Sequence, residues 1–196
     1  MKKFIELLKN ASKETLEMSL DNCHAEGLFS LVIGGNENGK LTRAFIAKKK
    51  IKPYEVQLHT HRYNLSLTVL AGSFLHHTAK LTNAYGDDFQ ITLPSYKYNS
   101  PLNKGFGLVN DGEIHCHINS AYLPPAAKIN FITNQNIHTV SCSAGTIWIV
   151  EEYGFEQDFS YVYGKNFTLD NLYIKPSQFQ INDAVQLLTK TLKSFI

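Results

Sequence analysis

Arginine is nearly absent from this chain: of its 19 basic residues only Arg43 and Arg62 are arginine. Bidentate clamping of a phosphate or carboxylate has to run through those two or not occur. Charge of either sign is scarce, 18% of residues against roughly a quarter in an average soluble protein. The 19 Lys+Arg and 17 Asp+Glu nearly cancel, and a net charge of +2 is not the basic excess that a nucleic-acid backbone demands. Cysteine is confined to Cys23, Cys116 and Cys142, an odd number with no CxxC pair, which indicates neither a disulfide framework nor a zinc knuckle. No apolar run approaches the ~20 residues of a membrane-spanning helix. In the opening MKKFIELLKN, Glu6 and Lys9 break the stretch that a secretory signal would need. The expected setting is reducing and cytoplasmic, with neither membrane nor nucleic acid as partner.

What is present is apolar and aromatic. Of 196 residues, 43% are hydrophobic and 12% aromatic, which excludes a disordered chain. The length suits a single domain over residues 1–196, burying about 70% of the surface its unfolded chain exposes. Both ends read as helices. Residues 2–20 carry Ile5, Leu8, Leu16 and Leu20 near one face. Residues 177–195 carry Val185, Leu188, Leu192 and Phe195 at three- and four-residue steps, with Ser177 opening the segment and Asn182 or Asp183 as alternative caps. Between them, about 28–175, lie short runs rich in Val, Ile, Thr, Tyr and Phe: Leu28–Ile33, Leu41–Lys48, Tyr54–His61, Leu65–Leu70, Phe74–Leu81, Phe89–Leu93, Ile114–Tyr122, Lys128–Thr133, Ile137–Cys142, Thr146–Glu152 and Phe159–Tyr163. That spacing predicts an antiparallel sandwich or barrel, not alternating βα units. Pro94–Gly112 reads as a long loop.

One motif is a decoy. Gly34 to Lys40 matches GxxxxGK, but Leu41 stands where a phosphate loop needs Ser or Thr, and a strand follows where a helix is required. A Gly/Asn hairpin turn is the better reading. The informative segment is Leu58-His59-Thr60-His61-Arg62-Tyr63-Asn64-Leu65, running on to Gly72. In steps of two, His59, His61, Tyr63, Leu65, Leu67 and Val69 share one face. Two imidazoles at i and i+2 on an otherwise apolar side point the same way. Neutral near pH 7, they suit a shared divalent ion, whose binding should weaken below about pH 6 as the rings protonate.

This segment resembles the first motif of the cupin superfamily, an HxH followed by a Glu and then a Gly: His59, His61 and Gly72 stand in register. Leu65 holds the Glu position. The family's second motif supplies one more histidine, matched by His138 before Gly145 and the strand Thr146–Glu152. The resemblance spans roughly residues 41–152. It implies an all-β core, a cupin-type double-stranded β-helix (jelly-roll barrel) with N- and C-terminal helices, and a divalent transition metal held by His59, His61 and His138. Iron(II) is the expected ion; zinc, nickel and manganese are also accepted by imidazole. A neutral ligand set leaves the metal more positive and favours an anionic small-molecule substrate. The expected activity is that of an iron(II)-dependent oxygenase. Its rivals are a non-catalytic ligand- or metal-binding sensor and a metal-independent sugar isomerase or epimerase.

Further candidates surround this core. Arg43 shares strand parity with Leu41, Phe45 and Ala47 and is a candidate clamp for a substrate carboxylate. Gln57 shares the parity of His59 and is a second substrate-binding candidate. Tyr63 is a candidate proton relay beside the metal. Of His76 and His77, which straddle one strand, His77 is in phase with Leu75, Ala79 and Leu81 and is taken as the pocket-facing catalytic residue. His115 and His117 flank Cys116 on the side away from the apolar face, and His24 is read as lying at the end of the N-terminal helix. A homodimer pairing through sheet edges is an open alternative to a monomer.

Overall fold

The computed structural model describes residues 1–35, 40–82, 90–99, 107–154, 157–164 and 174–196. Eleven strands are described: β1 (Leu28–Gly35), β2 (Leu41–Ala47), β3 (Leu58–His59), β4 (Asn64–Ala71), β5 (Phe74–Leu81), β6 (Ile91–Asn99), β7 (Gly107–Tyr122), β8 (Ile129–Ile132), β9 (Ile137–Cys142), β10 (Ile147–Tyr153) and β11 (Ser160–Tyr163). Helices α1 (Lys2–Asn10) and α2 (Lys13–Glu17) precede them and α3 (Gln178–Lys193) follows. One sheet runs β1-β2-β10-β4-β8; the other runs β11-β3-β9-β5-β7-β6 and closes on itself where β6 meets β11. From β2 to β5, and again from β8 to β11, successive strands alternate between the two sheets. This is a cupin-like jelly roll.

The period-2 pattern explains where each face goes. Phe45 and Ala47 of β2, Leu65, Leu67 and Val69 of β4, and Trp148 and Val150 of β10 meet Phe74, Val140 and Cys142 of the opposite sheet in the main core. The outer face of the first sheet is apolar too, because helices cover it: Ala44, Ile46, Ile147 and Ile149 pack beneath Phe4 and Leu8 of α1 and Ile181, Leu188 and Leu192 of α3. Each such fully buried aliphatic side chain contributes roughly 1.5–3 kcal/mol. The second sheet encloses its own small core of Leu58, Ala79, Cys116, Ile137 and Tyr163.

Some local expectations change. The N-terminal segment is two helices, because Ala11 is extended and Ser12 starts a new one, its hydroxyl accepting from the Thr15 N–H at 3.2 Å. At the other end Ser177 and Gln180 form a reciprocal capping box, so Asn182 and Asp183 lie inside α3 rather than capping it. The strand expected over Tyr54–His61 is reduced to Leu58–His59, since the chain turns at residues 53–55 with Tyr54 at φ 68°. Much of the loop expected at Pro94–Gly112 is strand: β6 and β7 pair from Ile91–Cys116 to Asn99–Gly107, and Pro94 is tolerated beside a register shift. Phe89, expected to begin β6, lies outside the described residues, as do positions 36–39 of the GxxxxGK match; the strands flanking the latter pair as a hairpin from Gly35–Leu41.

Gly72 joins β4 to β5 at φ +81°, and a Cβ there would lie 2.6 Å from the Thr146 Cα. Only glycine satisfies both the left-handed backbone and that close approach. The turn carries the chain from the first sheet to the second.

Candidate metal centre

Backbone pairing alone brings two of the three expected histidines together: His59 of β3 and His138 of β9 are direct cross-strand partners, so their side chains leave the sheet on the same side. His61 lies two residues past His59, beyond the end of β3, where its N–H donates to the Asn134 carbonyl at 3.2 Å. The three ring centroids stand 4.7–4.9 Å apart. One nitrogen from each ring lies within 4.8 Å of the others, and the Nε2 atoms of His61 and His138 are 2.6 Å apart. A metal bonded at ~2.1 Å by cis nitrogens sets them about 3.0 Å apart, a spacing these distances bracket.

The hydrogen-bond geometry sets which nitrogen of His59 and of His138 faces the shared point. Nδ1 of His59 lies 2.7 Å from the Gln57 carbonyl, which only accepts, so Nδ1 carries the proton and Nε2 keeps its lone pair. Nδ1 of His138 lies 2.6 Å from Nε2 of His76, again leaving its Nε2 for the shared point. A metal ion fits this donor set.

No family model and no curated protein matches the chain. Among solved structures, a histidine variant of Streptomyces PAC13 with uridine is 12% identical with a TM-score of 0.38, covering 81% of this chain and 92% of that one. A second, described as "structure and mechanism of Pac13, a unique nucleoside dehydratase", is 13% identical with a TM-score of 0.36, covering 79% and 91%. The chemistry of the present site rests on its own residues.

Burial holds all these rings neutral. His59 and His76 are pushed down to about 4, and His61 and His138 well below the ordinary imidazole value, by desolvation first and neighbouring imidazoles second. Among the described residues no carboxylate is one of these causes; one would have acted in the opposite direction. The position of the cupin glutamate is filled by Leu65, 5% exposed within the apolar core. Among the described residues the site is therefore a charge-neutral nitrogen set. His24 joins it unexpectedly: it stacks on His59 at 5.4 Å and 17°, is pushed down to about 4 by burial and by Arg43, and sits in the connection before β1, not at a helix end.

The remaining expected residues distribute unevenly. Arg43 does share the interior face with Phe45, where it donates to the Ser30 hydroxyl at 3.3 Å and faces Glu152 at 3.9 Å. Gln57 contributes its backbone carbonyl to His59, while its side chain lines a separate apolar cavity of about 280 Å³ with Tyr54, Leu58, Leu93 and Tyr163. Among the described residues, the lining of that cavity holds neither an acid nor an imidazole. Tyr63 is placed by two cations, Lys40 and Arg62, each 5.6 Å from its ring. His77 bonds the Ser141 hydroxyl at 2.8 Å and lies 6.4 Å from the Tyr54 ring. The histidine of β5 that meets the cluster is His76, in phase with Phe74 of the main core. Parity with Leu75 and Leu81 misled because both are exposed. The signal that could have found His76 is its shared phase with Phe74.

His115 accepts its place in the sheet by a 2.9 Å contact with Thr92, while Cys116 between the two histidines is fully buried. Burial raises the thiols of Cys23 and Cys142 to about 11, so neither is a thiolate nucleophile near neutrality.

Proposed function

We propose that the protein is a cupin-fold metalloenzyme in which His59, His61 and His138 hold a divalent transition metal, iron(II) above zinc, nickel or manganese, and that it oxygenates a small anionic substrate. The observation that carries this reading is the convergence of three neutral imidazoles on one point, with no carboxylate among the described residues of the group. Such a set leaves the ion's full positive charge uncompensated by the protein, which favours an anion as the next ligand. An iron(II) ion would supply open coordination positions and the electrons for dioxygen chemistry.

The chain's own residues supply the rest. Arg43 extends positive potential along the interior face, although Glu152 offsets part of it. His59 and His61 are half-buried and form the accessible side of the cluster, whereas His138 lies at the back, 4% exposed. Phe45 and Trp148, stacked at 5.3 Å, belong to the apolar main core, and Phe45 lies 6.1 Å from the His24 ring. An apolar surrounding strengthens the attraction between the site and an anion.

Metal analysis of protein purified without chelator tests the reading, followed by oxygen uptake with small thiols, amino acids and β-diketones. About one transition metal per chain and metal-dependent uptake with one substrate class support it. Metal-free protein with ligand binding and activity intact overturns it. A second reading, metal-independent acid–base catalysis, draws support from the hydrogen-bonded contact between His76 and Tyr122 at 2.7 Å. It predicts turnover that resists chelation.

A further inference from the structure

The second sheet carries more than the two strand-borne ligands. His59 pairs with His138 across β3 and β9; His138 reaches diagonally to His76 on β5; and His76 pairs with Tyr122 across β5 and β7. Four polar rings therefore stand in a row on one face of four adjacent strands. The links within it are short: His138 Nδ1 to His76 Nε2 at 2.6 Å, and His76 Nδ1 to the Tyr122 hydroxyl at 2.7 Å. His76 is 3% exposed, whereas Tyr122 is 41% exposed and brings the row to the surface.

We propose that His76 and Tyr122 are positioning residues that hold His138 in its metal-ligating tautomer through this row of hydrogen bonds. The inference rests on the metal-binding reading above. A metal on Nε2 of His138 requires the proton on Nδ1, which then donates to His76 Nε2. His76 in turn must carry its own proton on Nδ1 and donate it to the Tyr122 oxygen. The opposite polarity, from the tyrosine hydroxyl inward, ends with a proton on His138 Nε2 pointing at His61, 2.6 Å away, and blocks the site. Both arrangements are neutral and contain the same atoms; they differ in which nitrogen of each ring holds the proton. Metal binding selects one of them along the whole row. His59 has no such freedom, because a backbone carbonyl fixes its tautomer.

The test uses the full chain with zinc, which is diamagnetic, and with cobalt(II) for its absorption bands. In wild type, nitrogen-15 NMR of the zinc form should show both His138 and His76 protonated on Nδ1. His76→Phe, which removes the acceptor, should weaken zinc binding 10–100-fold and change the cobalt spectrum. His76→Gln, whose side-chain oxygen can accept in place of Nε2, should recover much of that affinity. Tyr122→Phe, at a half-exposed position that keeps its ring, should retain the fold, lose several-fold in affinity and leave His76 in mixed tautomers. Wild-type affinity in both Tyr122→Phe and His76→Phe overturns this inference alone. A wild-type protein that binds neither metal overturns the metal reading and this inference with it.

Discussion

The Nε2 atoms of His61 and His138 meet at 2.6 Å although 77 residues separate them in the chain. Two neutral imidazole lone pairs repel at that distance unless a proton or a cation lies between them. A neutral N–H···N hydrogen bond or a shared cation satisfies that contact; with the metal proposed above as the occupant, removal of either ring should abolish its binding. His61→Ala and His138→Ala should each lower cobalt(II) affinity by at least 100-fold, read by titration of its absorption bands, with the circular dichroism of the β-roll retained. A bound stoichiometry near one in either variant would contradict the three-ring centre.

Acid should destabilise the metal-free protein. The half-buried rings of His24 and His59 and the buried ring of His76 hold their protons only below about 4 in the native state, against about 6.5 in the unfolded chain. Between these values the unfolded chain takes up protons that the native one refuses. Stability is full above pH 6.5 and falls as the pH drops toward 4, by about 3 kcal/mol for one ring buried as His76 is. Urea midpoints of metal-free protein should fall steadily from pH 7 to pH 4.5. The same burial moves proton competition at the metal below the pH 6 expected from free imidazole. A flat urea midpoint across that range would show that the rings are not buried as neutral groups.

Gly72→Ala should cost stability without touching the histidines. The added methyl group meets Thr146 at 2.6 Å on a backbone with φ +81°. Strain of this kind costs on the order of 1–3 kcal/mol, and the clash adds to it. Urea denaturation measures the loss; a variant as stable as wild type would mean that the β4–β5 turn can relax.

Leu188→Ala separates the helical cover from the metal centre. Leu188 is fully buried in the helix-covered core on the outer face of the first sheet, whereas His59, His76 and His138 stand on β3, β5 and β9 of the other sheet. Truncation should cost about 2–5 kcal/mol. Zinc affinity of the folded fraction should stay within two-fold of wild type, measured by competition with a chromophoric chelator.

Local chemistry determined much of this molecule. Short runs rich in β-branched and aromatic residues marked β5 and β9 at their observed bounds, Phe74–Leu81 and Ile137–Cys142, and Ser177 marked the start of α3. These signals lie within a few residues, so the sequence carries them unaided. The HxH spacing likewise put His59 and His61 on one side of the chain. Tertiary structure decided everything that depends on strand neighbours. That β3 lies beside β9 places His138 against His59, and that β7 flanks β5 gives His76 its tyrosine. Which of His76 and His77 faces the centre follows from which side of β5 meets the opposing sheet, a long-range packing choice of which the phase shared with Phe74 is the one local trace. The same holds for His24, which reaches His59 across a gap in sequence that no periodicity spans.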